Sequence, residues 1–247
     1  MNSEKQDRYL TPIALVVGAI IIGGALYFGH AGTSITAVKQ PTGSQQAPSA
    51  QAQQVPSTQT VNAHDVAIAG DPYIGNKNAP AVLIEWFDYQ CPFCKLFETN
   101  TMPELYTNYV KTGKLKIVFK DFAFLGPDSQ TAAMFARAVW ATYPDKFYQW
   151  YRAMYSAQDG ENTGFGDLPS IIKMTKKIPG IDTDKIVTVM NKNKTAFKAQ
   201  VAADRSEGQK MGVNGTPSMI IGTHLIVGAQ PYSVFSPLID AEINAKK

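Results

Sequence analysis

Cys91 and Cys94 are the only two cysteines in a chain of 247 residues, and they stand three positions apart in WFDYQCPFCKLFE, with Pro92-Phe93 between them. Three chemistries use such a pair. A structural disulfide is the simplest, but a loop this short removes little entropy from the unfolded chain, roughly 2 kcal/mol in the loop-closure model. A zinc half-site needs a second pair of ligands. The three histidines, His30, His64 and His224, lie far apart and none is paired at ligand spacing, so no metal is expected. A redox dithiol needs only what is present, two sulfurs close enough to pass between thiol and disulfide without moving the fold.

The elements around the pair support exchange chemistry. AVLIEWF, Ala81 to Phe87, is a nearly continuous apolar run whose length and β-branched and aromatic content predict a strand buried on both faces. Asp88-Tyr89-Gln90 then reads as a turn. Cys91 falls at the mouth of a helix, with Pro92 at the first helical position, where a missing N–H costs nothing. This helix is expected to run to about Thr112, with a kink at Pro103 and a stop at Gly113. A helix N-terminus carries partial positive charge and unsatisfied N–H groups, which favour thiolate over thiol. Cys91 is therefore the expected substrate-facing sulfur. Cys94, one turn further in, is the expected resolving one.

Glu85 is an acid in the middle of a strand that should be buried, on the face it shares with Leu83 and Phe87. Such a group costs free energy unless paired or protonated. One reading is a buried acid that moves a proton to or from Cys94. The other is a carboxylate paired with a nearby lysine, or a strand edge in water.

After a second strand in KLKIVFKDF, residues 127–212 turn helical. Phe147 with Tyr151, and Trp150 with Met154, have helical spacing, which predicts a core stripe, part of which could line a groove. Further helix is expected over Leu168–Lys177 and over Thr183–Met211. A hairpin of strands Ser218–Ile221 and His224–Val227 turns at Gly222-Thr223, and a last helix closes the chain. The order predicts an α/β protein: a thioredoxin-like fold with an inserted helical domain.

The N-terminus suggests a compartment. Leu10 to Gly29 carries no charge and approaches the roughly 20 residues a bilayer span requires. Lys5 and Arg8 precede it, a weak bias toward an N-terminus inside. A cleaved signal peptide is the alternative, although YFGHAGTS offers no convincing cleavage site. Gln-, Ser-, Thr-, Ala- and Pro-rich sequence follows and cannot order itself. The expected organisation is a short cytoplasmic N-terminus at 1–10, a transmembrane anchor at 11–29, a disordered linker at 30–63 and an extracytoplasmic domain at 64–247. A formal charge of +3 with no basic patch gives no reason to expect nucleic acid.

Four segments, GDPYIGNKNAPAVLIEWFDYQCPFC, FKDFAFLGPDSQTAA, DKFYQWYRAMYSAQ and GVNGTPSMIIGTHLIVGAQPY, strongly resemble the membrane-anchored members of the DsbA-like thiol–disulfide oxidoreductases, from about Gly70 to Ile243. The resemblance implies a catalytic set of Cys91 as nucleophile, Cys94 as resolving cysteine and Glu85 as buried acid. It also implies a cis Thr216–Pro217 peptide facing the disulfide; a trans proline opening an edge strand is the alternative. Pro92, Phe93, Thr216 and Pro217 would meet the substrate, with Thr216 pairing to an extended chain. The chain differs from the best-known members in carrying Phe93 where they have His, which bears on redox strength and not on reaction class. No cofactor is implied. The expected substrates are thiol-containing proteins. The expected electron acceptor is a membrane partner such as a quinone-linked oxidase, and the membrane is met through the chain's own N-terminal helix. A reductase or isomerase, or a peptide-binding module with an incidental dithiol, are the rival readings.

Overall fold

The structure, a computed structural model, describes residues 61–246. The anchor expected at 11–29 and most of the linker lie outside the described residues. Among the described residues no helix is long and apolar enough to cross a membrane. Val61, expected in the linker, is buried and packs in a cluster with Ile84, Trp86 and Ile220.

The apolar run Ala81–Phe87 forms the central strand, β2, of a five-stranded sheet. Its neighbours are β3 (Leu115–Asp121), parallel to it, and β4 (Ser218–Ile221), antiparallel. A two-residue β1 (Tyr73–Ile74), which the sequence did not announce, pairs with β3, and β5 (His224–Val227) pairs with β4, giving the order β1-β3-β2-β4-β5. Both faces of β2 are covered, as the unbroken apolar run requires. Leu83 and Phe87 enter the larger core, and Ile84 and Trp86 the smaller one.

Cys91 is the N-cap of helix α1 (Pro92–Asn100). The single kinked helix expected to Thr112 is in fact broken. The first helix closes at Thr101, whose backbone stays helical, a second helix, α2 (Met102–Leu105), begins with Pro103 in its first turn, and a π-helical turn spans Tyr106–Val110. Proline cannot donate to the preceding turn and clashes with it, so it opens a new helix more readily than it continues an old one. The stop falls at Gly113, whose φ of 73° suits only glycine well.

Five helices separate β3 from β4: α3 (Pro127–Thr142), α4 (Phe147–Ala157), α5 (Leu168–Thr175), α6 (Thr183–Lys192) and α7 (Lys194–Lys210). The expected helix over Thr183–Met211 is two, divided at Asn193. The last helix, α8 (Tyr232–Ala245), lays Phe235 against Phe97 of α1 with ring centroids 5.5 Å apart. The aromatic stripe is core: Phe147, Trp150, Tyr151 and Met154 are all buried.

A buried ion network joins the helical insertion to the sheet. Lys120 of β3 lies 2.8 Å from Asp71, 2.7 Å from Asp204 and 3.0 Å from Glu207. Arg137 of α3 reaches Asp71 and Asp121 at 2.7 Å each and also pairs with Asp204 of α7.

Candidate active site

Strand β2 delivers the chain to Asp88, and the turn that follows is held rigidly. The buried Asp88 carboxylate accepts from the Gln90 amide at 2.9 Å, the Ser129 hydroxyl at 2.6 Å, and the amides of Phe124 and Leu125 at 2.9 and 3.1 Å. The Cys91 amide donates to the Asp88 carbonyl at 3.1 Å. From the insertion, Gln158 donates its side-chain amide to the carbonyls of Tyr89 and Cys91, at 2.7 and 3.1 Å. Lys95 returns to the Gln158 carbonyl at 2.6 Å. The turn is thus locked on one side by α3 and on the other by the end of α4.

Cys91 and Cys94 are both free thiols, and the structure gives them different environments. The Cys91 thiol approaches the Thr216 carbonyl oxygen at 3.3 Å. A hydrogen bond from Cys94 is the main influence on Cys91 and stabilises its thiolate. The amides of Cys94 and Phe93 add to this against the cost of burial, and the net effect pulls the Cys91 thiol down to about 6. Cys94 is fully buried, and burial pushes its thiol well above the ordinary value; the Cys91 sulfur adds to the effect. Pro92 and Phe93 lie on the surface beside them, Phe93 with 60% of its area exposed.

Thr216 and Pro217 arrive from the far end of the insertion, joined by a cis peptide bond. Pro217 is buried, and its carbonyl accepts from Gly228 at 2.8 Å. The Thr216 hydroxyl is buried without a partner.

Glu85 is fully buried between β3 and β4, and no lysine or arginine pairs with it among the described residues. That geometry disfavours the ion-pair and water-edge alternatives. Burial pushes its carboxyl up to about 8, the charge on Glu98 pushes the same way, and the Tyr151 hydroxyl, donating to Oε1 at 3.3 Å, opposes. Its other oxygen has no partner. The carboxyl is close enough to Cys94 for its charge to raise that thiol.

Glu98 escaped the sequence reading. It lies on α1 one turn beyond Cys94, and it is buried. Burial pushes its carboxyl up to about 7, against Arg152 at 3.2 Å and the Tyr148 hydroxyl at 3.4 Å. The signal was available: spacing of four places Glu98 on the inward face of the thiol helix. Asp88 and Gln158 carried no comparable signal, because their roles are hydrogen bonds across distances the local sequence does not reveal.

A family model described as Thioredoxin matches residues 68–241. Disulfide bond formation protein D of Bacillus subtilis is 28% identical over 183 residues, spanning 73% of this chain and 80% of that protein. A probable disulfide bond formation protein D of Bacillus cereus is 30% identical over 155 residues, 62% of this chain and 70% of that one. Among solved structures, oxidised BdbD of Bacillus subtilis superposes with a TM-score of 0.67 at 24% identity, covering 75% of this chain and 97% of its own. The thiol–disulfide exchange protein alpha-DsbA2 of Wolbachia pipientis does so with a TM-score of 0.62 at 29% identity, covering 70% and 87%. A dithiol at a helix mouth, a buried acid behind it and these relatives agree: the chain belongs to the thioredoxin family, as a DsbA-like thiol–disulfide oxidoreductase.

Proposed function

We propose that the protein works outside the cytoplasm, tethered by its N-terminal segment, and forms disulfides in thiol-containing proteins. A substrate thiolate attacks Cys91 Sγ of the Cys91–Cys94 disulfide. That S–S bond breaks, Cys94 leaves as a thiolate, and Glu85, which holds a proton at neutral pH, supplies one to it. A second substrate thiolate then attacks the substrate sulfur of the mixed disulfide and expels Cys91 as a thiolate. The substrate has lost two electrons and gained a disulfide; the enzyme is left as a dithiol. Those electrons pass to a membrane redox partner of the quinone-linked oxidase class.

The observation that carries the direction is the asymmetry of the two sulfurs. Stabilising the Cys91 thiolate favours the reduced enzyme, and a dithiol whose reduced form is favoured oxidises others. The disulfide-forming names of its relatives point the same way. The uncharged Leu10–Gly29 stretch and the polar sequence after it support the location. Acid quenching of growing cells, followed by alkylation, should find Cys91 and Cys94 mostly oxidised, and the oxidised enzyme should oxidise a reduced, unfolded protein stoichiometrically. A dithiol held reduced in cells would identify a reductase or isomerase instead. A protein that exchanges with no thiol would be a binding module.

A further inference from the structure

Phe124 is a large apolar side chain, 39% exposed, that the exchange reaction does not use. It is nevertheless fixed to the catalytic turn, because its amide donates to Asp88. Beside it opens a cavity of about 450 Å³ lined by Phe122, Phe124, Arg205, Gln209, Val213 and Asn214. Phe122 and Phe124 meet edge to face, centroids 5.6 Å apart, and make an apolar wall. The Arg205 guanidinium stands 5.8 Å from the centroid of the Phe122 ring. Arg205 is exposed, and no carboxylate pairs with it among the described residues. Its helical neighbours Asp204 and Glu207 are taken by Lys120 and Arg137. The cavity therefore joins an apolar wall to an uncompensated positive charge.

Its last wall decides the occupant. Val213 and Asn214 belong to the same backbone segment as Thr216, whose carbonyl touches the Cys91 sulfur. An extended chain paired along Thr216 and running past Asn214 advances about 3.3 Å per residue. It brings a side chain to the cavity two or three residues from its own reacting cysteine. We propose that this cavity is a substrate subsite, which receives an aromatic or aliphatic side chain of the thiol protein and places an adjacent acidic residue against Arg205. The assignment rests on Cys91 being the substrate-facing sulfur.

The test uses the oxidised full-length chain and two synthetic peptides. Each carries one cysteine flanked on both sides, at the second and third positions, by Phe and Glu or by Phe and Lys. Every peptide rate is divided by the rate of the same protein with glutathione, which carries no residue at the second or third position from its cysteine. The Glu peptide should react about three- to fivefold faster than the Lys peptide at low salt, the scale of one exposed charge pair. Arg205→Glu should reverse the preference. Phe124→Ala should lower both normalised rates by about tenfold, as loss of a largely buried apolar contact does. Equal normalised rates for both peptides in wild type and Arg205→Glu would overturn the subsite. So would variants that change self-association while leaving those rates alone, since the cavity would then hold another copy of the chain. Failure of the wild type to react even with glutathione would instead overturn the assignment of Cys91, and the subsite with it.

Discussion

The Tyr151 hydroxyl donates to Glu85 Oε1 across 3.3 Å, so among the described residues the buried acid's side-chain hydrogen bond comes from the helical insertion and not from the sheet that contains it. The folded protein keeps Glu85 protonated up to about 8, against an ordinary value of 4.5. A raised carboxyl of this kind contributes stability in full below about 4.5 and loses it as pH climbs toward 8. Glu85→Gln should therefore flatten the fall in stability over that window, gaining roughly 1–3 kcal/mol at pH 8. It should also slow exchange as Cys94 leaves. Tyr151→Phe removes the opposing bond and should move the Glu85 titration higher still. Chemical denaturation across pH, paired with exchange rates, measures both. A large loss of stability in Glu85→Gln with an unchanged rate profile would show that the acid only holds the fold.

The two sulfurs should separate cleanly by substitution. Cys91→Ser should abolish exchange, whereas Cys94→Ser should leave an attacking sulfur without its resolving partner, so mixed disulfides accumulate on non-reducing gels. In the reduced wild type, alkylation of Cys91 should rise with a midpoint near 6, with Cys94 reacting far more slowly. The depressed Cys91 thiol stabilises the reduced fold most above its ordinary value near 9, and that gain is lost as pH falls through 6. Equal trapping by the two variants would reverse the roles.

Gly208 sits inside α7, where alanine normally adds about 1 kcal/mol of helix stability. Here a Cβ would stand 2.7 Å from Trp86 Nε1 and 2.8 Å from Cδ1, and that indole is pinned by its bond to the Asp204 carbonyl at 3.0 Å. Gly208→Ala should thus destabilise, by roughly 1–3 kcal/mol. A variant that melts higher than wild type would mean that the indole can move away.

Arg137 is buried among Asp71, Asp121 and Asp204. Arg137→Leu removes the cation and leaves carboxylates facing one another, and it should cost about 3–5 kcal/mol at neutral pH. The deficit should shrink in acid as the carboxylates protonate. A loss independent of pH would point to packing alone.

Phe93 offers the Cys91 thiolate neither charge nor a side-chain hydrogen bond. Phe93→His should lower the Cys91 thiol and raise the reduction potential together, by about 30 mV per pKa unit. Equilibration with glutathione, alongside a thiolate absorbance titration, reads both. If neither moves, the dipeptide does not set redox strength.

What could be read in advance had short-range causes. The continuous apolar run gave β2 with its bounds, and Pro92 after Cys91 placed the thiol at a helix mouth. Gly222-Thr223 between two apolar runs marked the hairpin. The features that escaped depend on distant partners. Nothing near Lys120 or Arg137 tells that both will be enclosed by Asp71 and Asp204. Asp88 reads as an ordinary turn residue until Ser129 and Phe124 close around it. β1, only two residues long, is a strand because β3 lies beside it. Glu98 alone is within reach of helical spacing, four residues after Cys94 on the same helix.

Strand β2 sits between one neighbour that follows it closely and another that arrives only after the whole insertion, and Thr216 is 125 residues from Cys91. During synthesis β2, α1 and β3 can meet early, whereas β4 and the Thr216 carbonyl must wait for a long loop to close. Until then Cys91 lacks the carbonyl to which its thiol donates, and Glu85 lacks both the strand and the hydroxyl that enclose it. The site is therefore completed last: α1 by itself already favours the Cys91 thiolate through Cys94 and the amides at its mouth, whereas the acid behind the sulfurs is enclosed only on closure of the chain.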